Sequence, residues 1–284
     1  MDTDTVLVQT PEVSGLRLAV SVAGDPDRPT LILLHGWPHS REIYDGVIDE
    51  LGKRYFTLAF DLPEIGGSRG APPSAEKKVL ADIVISAAEA IGARSMVVAG
   101  VDVGGMIAFA AARYHGDRIV GAVPMNTVIP GLHPWADVIA NPAIWHFAFH
   151  AVPELPELLV TGHQRAYFDF FFDLLAGRHG AVTNEMRQIF TAAYSRPEAL
   201  EAGFDWYRAF EADAKANAVP ASIEVPLLYI RGDADFGSID DYLEGLRLSG
   251  AKNLQGHVIA NCGEFLPIEA PEAFVRALAE FAPR

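Results

Sequence analysis

The amino-acid sequence predicts an α/β fold in which a mostly parallel sheet is flanked by helices and carries a helical insertion. Apolar runs alternate with helical segments through most of the chain, which is the pattern of strand–helix–strand units. The runs Thr30–Leu34 and Ile119–Met125 are apolar at nearly every position, as expected for parallel strands buried on both faces. Residues 129–220 interrupt this alternation, because they are rich in aromatic residues and have a helical pattern.

Seven apolar runs are expected to form strands, which in chain order are Leu16–Ala23, Thr30–Leu34, Tyr55–Phe60, Ser95–Ala99, Ile119–Met125, Pro226–Ile230 and Gly256–Ala260. A helix is expected at Ser74–Ile91, where apolar residues recur every four positions and Ser74 is a candidate N-cap. Further helices are expected at Gly105–Tyr114 and from Pro271 to Phe281. Residues 1–128 and 221–284 would then form the core, and residues 129–220 a helical cap over the carboxyl ends of the strands.

Length and composition set limits on the class of protein. The chain has 284 residues, of which 50% are hydrophobic, and a formal net charge of −15. This charge argues against nucleic acid and anionic membranes as partners. The single cysteine, Cys262, fits a reducing compartment, and Met1–Pro11 has no signal-peptide core. We therefore expect a cytoplasmic protein that acts on a small molecule without a cofactor or metal, and a homodimer remains open.

The pentapeptide Gly100-Val101-Asp102-Val103-Gly104 lies between a predicted strand and a predicted helix. Glycines two residues before and after Asp102 allow the tight turn that exposes a nucleophile at its apex. A carboxylate at this position forms an alkyl ester, which points to epoxides or alkyl halides rather than to esters and amides. Asp102 as a simple helix N-cap is the alternative.

Three other segments follow predicted strands and accompany this turn: His35-Gly36-Trp37-Pro38, Gly232-Asp233-Ala234-Asp235 and Gly263-Glu264-Phe265. With these motifs, in this order, the chain resembles the α/β-hydrolase fold superfamily, in its epoxide hydrolase and haloacid dehalogenase-like branch. The resemblance extends over nearly the whole chain, including the loop from Asp61 to Ser68, the cap and the C-terminal helix.

The resemblance implies roles for individual residues. The backbone N–H groups of Trp37 and Val103, with the loop of His35 and Gly36, would hold an oxyanion. The cap segments Trp145-His146-Phe147 and Trp206-Tyr207-Arg208 match those that carry ring-opening donors in epoxide hydrolases. His146 and Tyr207 are therefore candidate proton donors, and Trp145 a candidate substrate contact. His35 is expected to hold the loop rather than to transfer protons, and Asp233 and Asp235 could instead be solvated turn residues. Phe168, Phe170, Phe171 and Phe172 are expected in the core rather than in the substrate site.

The chain departs from the family at the general base. The family has a histidine where this chain has Glu264, and a glutamate with an ordinary pKa is a poor base at neutral pH. His257 lies several residues too early to replace the histidine. Asn126, at the position of the supporting acid in some relatives, could hydrogen-bond Glu264. Alternatively, Asp235 beside Glu264 would raise the pKa of one carboxyl group.

Val103 and Met106 stand where dehalogenases have a halide-binding Trp or substrate-clamping Arg, which weakens a dehalogenase interpretation. The sequence therefore favours an epoxide hydrolase-like enzyme in which Asp102 attacks a neutral, fairly apolar epoxide. The alternatives are a non-hydrolytic isomerase, cyclase or lyase on the same scaffold, a dehalogenase, or a binding protein with impaired catalysis.

Overall fold

Eight strands form one sheet at the centre of the protein in the computed structural model, which describes residues 7–283. In chain order, the strands of the described part are β1 (Leu7–Gln9), β2 (Glu12–Val13), β3 (Leu16–Arg17), β4 (Val20–Ala23), β5 (Thr30–Leu34), β6 (Phe56–Phe60), β7 (Met96–Val101), β8 (Ile119–Met125), β9 (Leu227–Gly232) and β10 (Leu254–Ile259). β2 and β3 pair with each other outside the main sheet. The predicted α/β class is confirmed.

The helices of the described part are α1 (Ile48–Gly52), α2 (Lys77–Ala90), α3 (Val103–Tyr114), α4 (Trp135–Ala140), α5 (Trp145–Ala151), α6 (Leu155–Val160), α7 (Gln164–Leu175), α8 (Asn184–Ala193), α9 (Pro197–Arg208), α10 (Phe210–Asn217), α11 (Ile239–Leu248), α12 (Leu266–Glu269) and α13 (Pro271–Phe281). Short 3-10 helices lie at Arg41–Tyr44 and Pro142–Ile144. No helix among these is long and apolar enough to cross a membrane.

The main sheet has the strand order β1-β4-β6-β5-β7-β8-β9-β10. The pairs from β6 to β10 are parallel, whereas β1 with β4 and β4 with β6 are antiparallel. β5, β6 and β7 are buried at every position, which explains their continuous apolar sequences. Since the carboxyl ends of parallel strands meet at one edge, the loops after β5, β7, β8, β9 and β10 converge there.

The observed strands differ from the expected runs mainly near the N-terminus. The run Leu16–Ala23 is divided into β3 and β4, because Ala19 between them bonds to a neighbouring loop instead. Its N–H donates to Ser68 Oγ (2.9 Å), and its carbonyl accepts from the Asp61 N–H (2.9 Å). β1 also lies in the N-terminal segment that had no predicted strand.

Ser74 does not cap the first long helix, which corrects the expectation from the sequence. α2 begins at Lys77, and Ser74 Oγ accepts only from the Glu76 N–H (3.1 Å). The Lys77 N–H instead donates to Asp213 Oδ1 of α10 (3.0 Å). The helix start is therefore stabilised by a residue far away in sequence, which local capping rules do not detect.

Helices α4 to α10 all lie between β8 and β9, inside the segment expected to form the cap. The Trp37 ring, from the loop after β5, packs against rings of three cap helices, with centroid distances of 4.5 Å to His150, 4.9 Å to Phe171 and 6.1 Å to Tyr207. Phe168, Phe171 and Phe172 are fully buried, while Phe170 is 48% exposed. This aromatic cluster fixes the cap helices above the carboxyl edge of the sheet.

Candidate active site

Asp102 occupies a sharp turn between the end of β7 and the start of α3, with φ 51° and ψ −122°. A Cβ atom on Gly100 would lie 2.2 Å from the Gly104 carbonyl carbon, and one on Gly104 would lie 2.3 Å from the Leu34 carbonyl oxygen. Both glycines are thus required for the close approach of strand, turn and helix. The backbone of Asp102 has a positive φ, and its side chain makes no N-capping hydrogen bond.

Two backbone N–H groups instead donate to the Asp102 carboxylate. The Trp37 N–H lies 2.8 Å from Asp102 Oδ2, and the Val103 N–H is the second donor. Loss of solvent raises the pKa of Asp102 to about 6, and this rise is opposed by the two N–H groups and by the positive charge of Lys77. Donors aimed at this carboxyl group can also stabilise an oxyanion that forms on it.

His35 holds the loop that carries Trp37. Its Nε2 accepts from the Leu62 N–H (3.1 Å), so its Nδ1 donates to the Gly36 carbonyl oxygen (2.8 Å). Burial lowers the pKa of His35 to about 4, which keeps the ring neutral at neutral pH. Gly36 has no room for a side chain, because a Cβ atom would lie 2.4 Å from Asp102 Cβ. His35 and Gly36 therefore bring the loop up to Asp102.

A cavity of about 100 Å³ lies between the carboxyl edge of the sheet and the cap. It is lined by Trp37, Asp102, Met106, Asn126, Thr127, Val128, Val138, Asn141, Ile144, His146, Phe147, Leu175, Tyr207, Asp235, Phe236, Tyr242 and Glu264. Most of the expected site residues, seven of eleven, are thus brought together, namely Trp37, Asp102, Asn126, His146, Tyr207, Asp235 and Glu264. A larger open groove of about 980 Å³ lies beside α13, away from this edge.

The remaining expected residues do not line the cavity. His35 and Gly36 hold the loop that carries Trp37, and the Val103 N–H donates to the Asp102 carboxylate. None of these three residues lines the cavity. Trp145, which was expected to contact substrate, does not line the cavity: it is 43% exposed and packs against Phe149 and Phe170. Trp145 and His146 are consecutive on α5, so they cannot both point the same way, and His146 is the one directed inward.

Glu264 lies in the loop after β10 and is held through its backbone. Its N–H donates to the Leu175 carbonyl oxygen of α7 (3.0 Å). The Glu269 carboxyl group supports the same loop, since its Oε1 accepts from the N–H groups of Gly263 and Phe265 (3.1 Å each). The Glu264 carboxyl group itself has no hydrogen bond or ion pair to any other residue within 7–283. Burial raises its pKa well above the ordinary value, and the charges of Asp235 and Asp102 raise it further.

Asn126 supports the Glu264 loop without touching its carboxyl group, which corrects the expected hydrogen bond. Its Nδ2 donates to the Gly263 carbonyl oxygen (2.7 Å), and its Oδ1 accepts from the Gly232 N–H (2.9 Å). Both polar atoms of the amide are thus bonded to backbone, and they join the loops after β9 and β10.

Among the charged groups around Glu264, Asp235 raises its pKa most. Its Oδ2 is 2.9 Å from Arg231 Nη2, and its Oδ1 accepts from the Phe236 N–H (2.7 Å). Arg231 is almost fully buried at the end of β9, with Tyr242 beneath its guanidinium. Burial raises the pKa of Asp235, and Arg231 opposes that rise. Asp235 therefore has a partner for its charge, whereas Glu264 has none.

His146 and Tyr207 face each other across the cap side of the cavity, with ring centroids 6.0 Å apart. Burial lowers the pKa of His146 to about 3 and raises the pKa of Tyr207 well above its usual range. Both groups are consequently neutral near pH 7. His146 is buried, yet its Nδ1 has no hydrogen-bond partner among residues 7–283. A ligand is the available partner for this nitrogen.

Two charged residues near the site, Lys77 and Arg231, were not identified from the sequence. Lys77, in an amphipathic helix, is buried and lies 2.9 Å from Asp213 Oδ2. Its Nζ also donates to the Trp206 carbonyl oxygen, one residue before Tyr207. Arg231 was also missed, although a charged residue directly after an apolar strand was a usable signal. His257 is exposed on the edge strand β10, as its position in the sequence suggested.

Comparisons with known proteins agree with this fold. The sequence profile of the alpha/beta hydrolase fold matches residues 29–271. The soluble epoxide hydrolase of Corynebacterium sp. (strain C12) is 27% identical over 280 residues, covering 95% of this chain and 96% of that protein. Among solved structures, Cfl2 from Burkholderia cenocepacia superposes with a TM-score of 0.89 at 28% identity, covering 97% of this chain and 95% of that one. The epoxide hydrolase CorEH superposes with a TM-score of 0.86 at 26% identity, covering 98% of this chain and 99% of that one.

Proposed function

The chain belongs to the alpha/beta hydrolase fold family, and on this premise we propose that it opens epoxides through a covalent intermediate on Asp102. The epoxide hydrolase relatives make it an epoxide hydrolase-like hydrolase. The observation that carries the proposal is the Asp102 carboxyl group, which faces the cavity while accepting hydrogen bonds from Trp37 and Val103. The substrate would be an epoxide without negative charge, because no Lys or Arg within residues 7–283 lines the cavity.

In the first step, an Asp102 oxygen attacks a ring carbon, and the carbon–oxygen bond of the epoxide breaks. The electron pair remains on the epoxide oxygen, which takes a proton from Tyr207 or His146. Both are neutral, line the cavity and can donate to a developing alkoxide. The product of this step is an ester between Asp102 and the opened substrate.

In the second step, water attacks the Asp102 carboxyl carbon, and its proton passes to Glu264. The Trp37 and Val103 N–H groups stabilise the resulting oxyanion. On its collapse the diol alkoxide leaves and takes the hydroxyl proton of the tetrahedral intermediate, which restores Asp102 as a carboxylate. The proton on Glu264 then returns to the donor of the first step, Tyr207 or His146. Glu264 accepts a proton only when it is ionised. Its raised pKa makes the carboxylate a stronger base than an exposed glutamate, but limits that form to higher pH.

The two carboxyl groups therefore predict a pH-dependent change in what accumulates. Asp102 has a pKa of about 6, whereas burial and the charges of Asp235 and Asp102 raise the pKa of Glu264 well above its ordinary value, so we expect the Glu264 carboxylate to become more abundant as the pH rises. The ester should persist in weakly acidic solution and be hydrolysed faster as the pH rises. Intact-mass measurement after mixing with styrene oxide at pH 6.5 and at pH 9, together with diol assays, tests this.

Matched variants assign the roles. Asp102→Asn should form no adduct, whereas Glu264→Gln should form an adduct that persists at both pH values. Glu244→Gln, which removes the same charge from an exposed site on α11, should behave like the unchanged protein. Absence of both adduct and diol with a panel of uncharged epoxides would contradict the proposal, as would full turnover by Asp102→Asn.

A further inference from the structure

The side chains that line the cavity carry an excess of acidic groups over basic ones, and the proposed reaction does not require this excess. The cavity lining includes the carboxyl groups of Asp102, Asp235 and Glu264, but no lysine or arginine from the described part of the chain. Asp235 is paired with Arg231, and Asp102 accepts two backbone N–H groups. The Glu264 side chain is the one of the three without a hydrogen bond or ion pair inside residues 7–283. A buried carboxyl group in this position must hold a proton or meet a positive charge.

His146 is a second group without a partner on the same cavity. His146 is only 6% exposed, and no hydrogen-bond partner within residues 7–283 reaches its Nδ1. In the neutral ring one nitrogen accepts and the other donates, so the ring adds dipole without positive charge. Among the lining residues there is thus no cation that would repel a positively charged ligand.

Aromatic rings form the walls around these groups: Trp37, Phe147, Tyr207, Phe236 and Tyr242. The Trp37 and Tyr207 planes are perpendicular at a centroid distance of 6.1 Å, and Phe147 and Tyr207 meet at 66° and 5.4 Å. Differently oriented rings beside a carboxylate are the usual means of binding organic ammonium ions. The Tyr242 ring already contacts a cation, since the Arg231 guanidinium lies 4.3 Å from its centroid.

We propose that this cavity binds a small organic ammonium ion, with Glu264 as its counter-charge and the aromatic walls around its alkyl groups. The inference rests on the proposed function only because it concerns the same cavity. It extends the proposed substrates from uncharged epoxides to epoxides that carry a positive group. It makes an epoxide bearing an ammonium group a better substrate than its uncharged isostere.

Binding of such a cation is linked to the ionisation of Glu264. The ionisable groups that act on or are influenced by this carboxyl group are Asp102, Asp235, Arg231, Glu269, Tyr44, Tyr207, Tyr242 and Cys262. Of these, Arg231 is the positive one, and it is shared with Asp235. The cation should therefore displace the Glu264 proton, so its affinity should increase with pH until the carboxyl group is fully ionised.

The test uses two unreactive molecules of matched shape, choline and 3,3-dimethylbutan-1-ol, measured by calorimetric titration at pH 6, 7 and 8. Choline should bind at least about tenfold more tightly than the alcohol at pH 8, with a smaller difference at pH 6. Titrations of choline in buffers of different ionisation enthalpy should show proton release, and those of the alcohol should not.

Glu264→Gln should weaken choline binding by about tenfold or more and leave binding of the alcohol within about twofold. Glu244→Gln again controls for net charge and should change neither. Equal affinities for choline and the alcohol at every pH would overturn the inference. An equal loss of choline affinity in Glu264→Gln and Glu244→Gln would overturn it as well. Because neither molecule reacts with Asp102, adduct formation without choline preference would contradict only this inference, and choline preference without adducts only the proposed reaction.

Discussion

Glu264 shows how burial changes the chemistry available to a residue type. From the sequence, a glutamate in place of a histidine is a weak base, because its ordinary pKa lies far below neutral pH. In the folded protein the same carboxyl group has lost solvent and faces Asp235 and Asp102, and its pKa rises well above that value. In the proposed mechanism, Glu264 therefore works as a base at higher pH than a glutamate with an ordinary pKa would.

Asp102→Asn should make the protein more stable at alkaline pH. Asp102 has a pKa of about 6 in the folded protein against an ordinary value of about 3.8, so the folded form retains a proton over this range that the unfolded chain has lost. Stability therefore decreases as the pH rises from about 4 to about 6, and the ionised group costs up to about 3 kcal/mol above it. Asparagine carries no charge, so we expect a gain of about 1–3 kcal/mol at pH 8 and almost none at pH 4.

Urea unfolding of both proteins at the two pH values measures this difference. Asp27→Asn, at an exposed turn, is the control and should show no dependence on pH. A stability difference for Asp102→Asn that is the same at pH 4 and pH 8 would show that the buried charge is not its source.

At the scale of elements, the ion pair of Lys77 and Asp213 joins α2 of the core to α10 of the cap. Both side chains are nearly inaccessible, and Lys77 also holds the Trp206 carbonyl oxygen of α9. Lys77→Met would leave Asp213 buried without a counter-charge, which costs about 3–5 kcal/mol. Adding Asp213→Asn should recover much of this loss, because the amide can still accept from the α2 backbone.

The measurement is the free energy of unfolding from urea titrations of the single and double variants. Lys215→Met is a suitable comparison, since Lys215 is exposed on α10 and pairs with Glu211 there. Its substitution should change stability by less than about 0.5 kcal/mol. Equal losses from Lys77→Met and Lys215→Met would mean that the buried pair contributes no more than an exposed one.

The loop before Glu264 packs so closely on the end of α7 that it requires glycine. A Cβ atom on Gly263 would lie 2.3 Å from the Gly177 backbone nitrogen and 2.4 Å from the Leu175 carbonyl oxygen. Gly263→Ala should therefore displace the loop, break the hydrogen bond from the Glu264 N–H and destabilise the protein by about 1–3 kcal/mol.

Loss of ester hydrolysis in Gly263→Ala, with adduct formation retained, would be the expected functional result in the intact-mass experiment. Gly46→Ala, at a position with no atom within 4 Å of the added Cβ, is the comparison and should be neutral. Normal diol formation by Gly263→Ala would show that the position of Glu264 is not critical for the second step.

At the scale of the whole molecule, Trp37 contributes both to the candidate active site and to the packing of helices α5, α7 and α9 on the core. Its N–H donates to Asp102, and its ring fills the space beneath α5, α7 and α9. Trp37→Ala should cost about 3–5 kcal/mol. We expect the loss to be concentrated in the cap, because the sheet strands keep their own packing.

Hydrogen exchange should show faster exchange in α5, α7 and α9 of Trp37→Ala, with β5, β7 and β8 little changed. Trp145→Ala, at the half-exposed neighbour of His146, should leave both regions nearly unchanged. Uniformly faster exchange across the sheet and the cap would instead indicate that the two regions unfold as one unit.

Local sequence determined the sheet, the helical insertion and the turn at Asp102, because apolar periodicity and glycine spacing are properties of neighbouring residues. It also identified most of the residues that line the cavity, through motifs that follow strands. Only the tertiary structure decided what these residues do to one another. It turned Trp145 outward, bonded Asn126 to backbone, paired Asp235 with Arg231 and left Glu264 without a partner, since contacts and desolvation depend on chain segments that are distant in sequence.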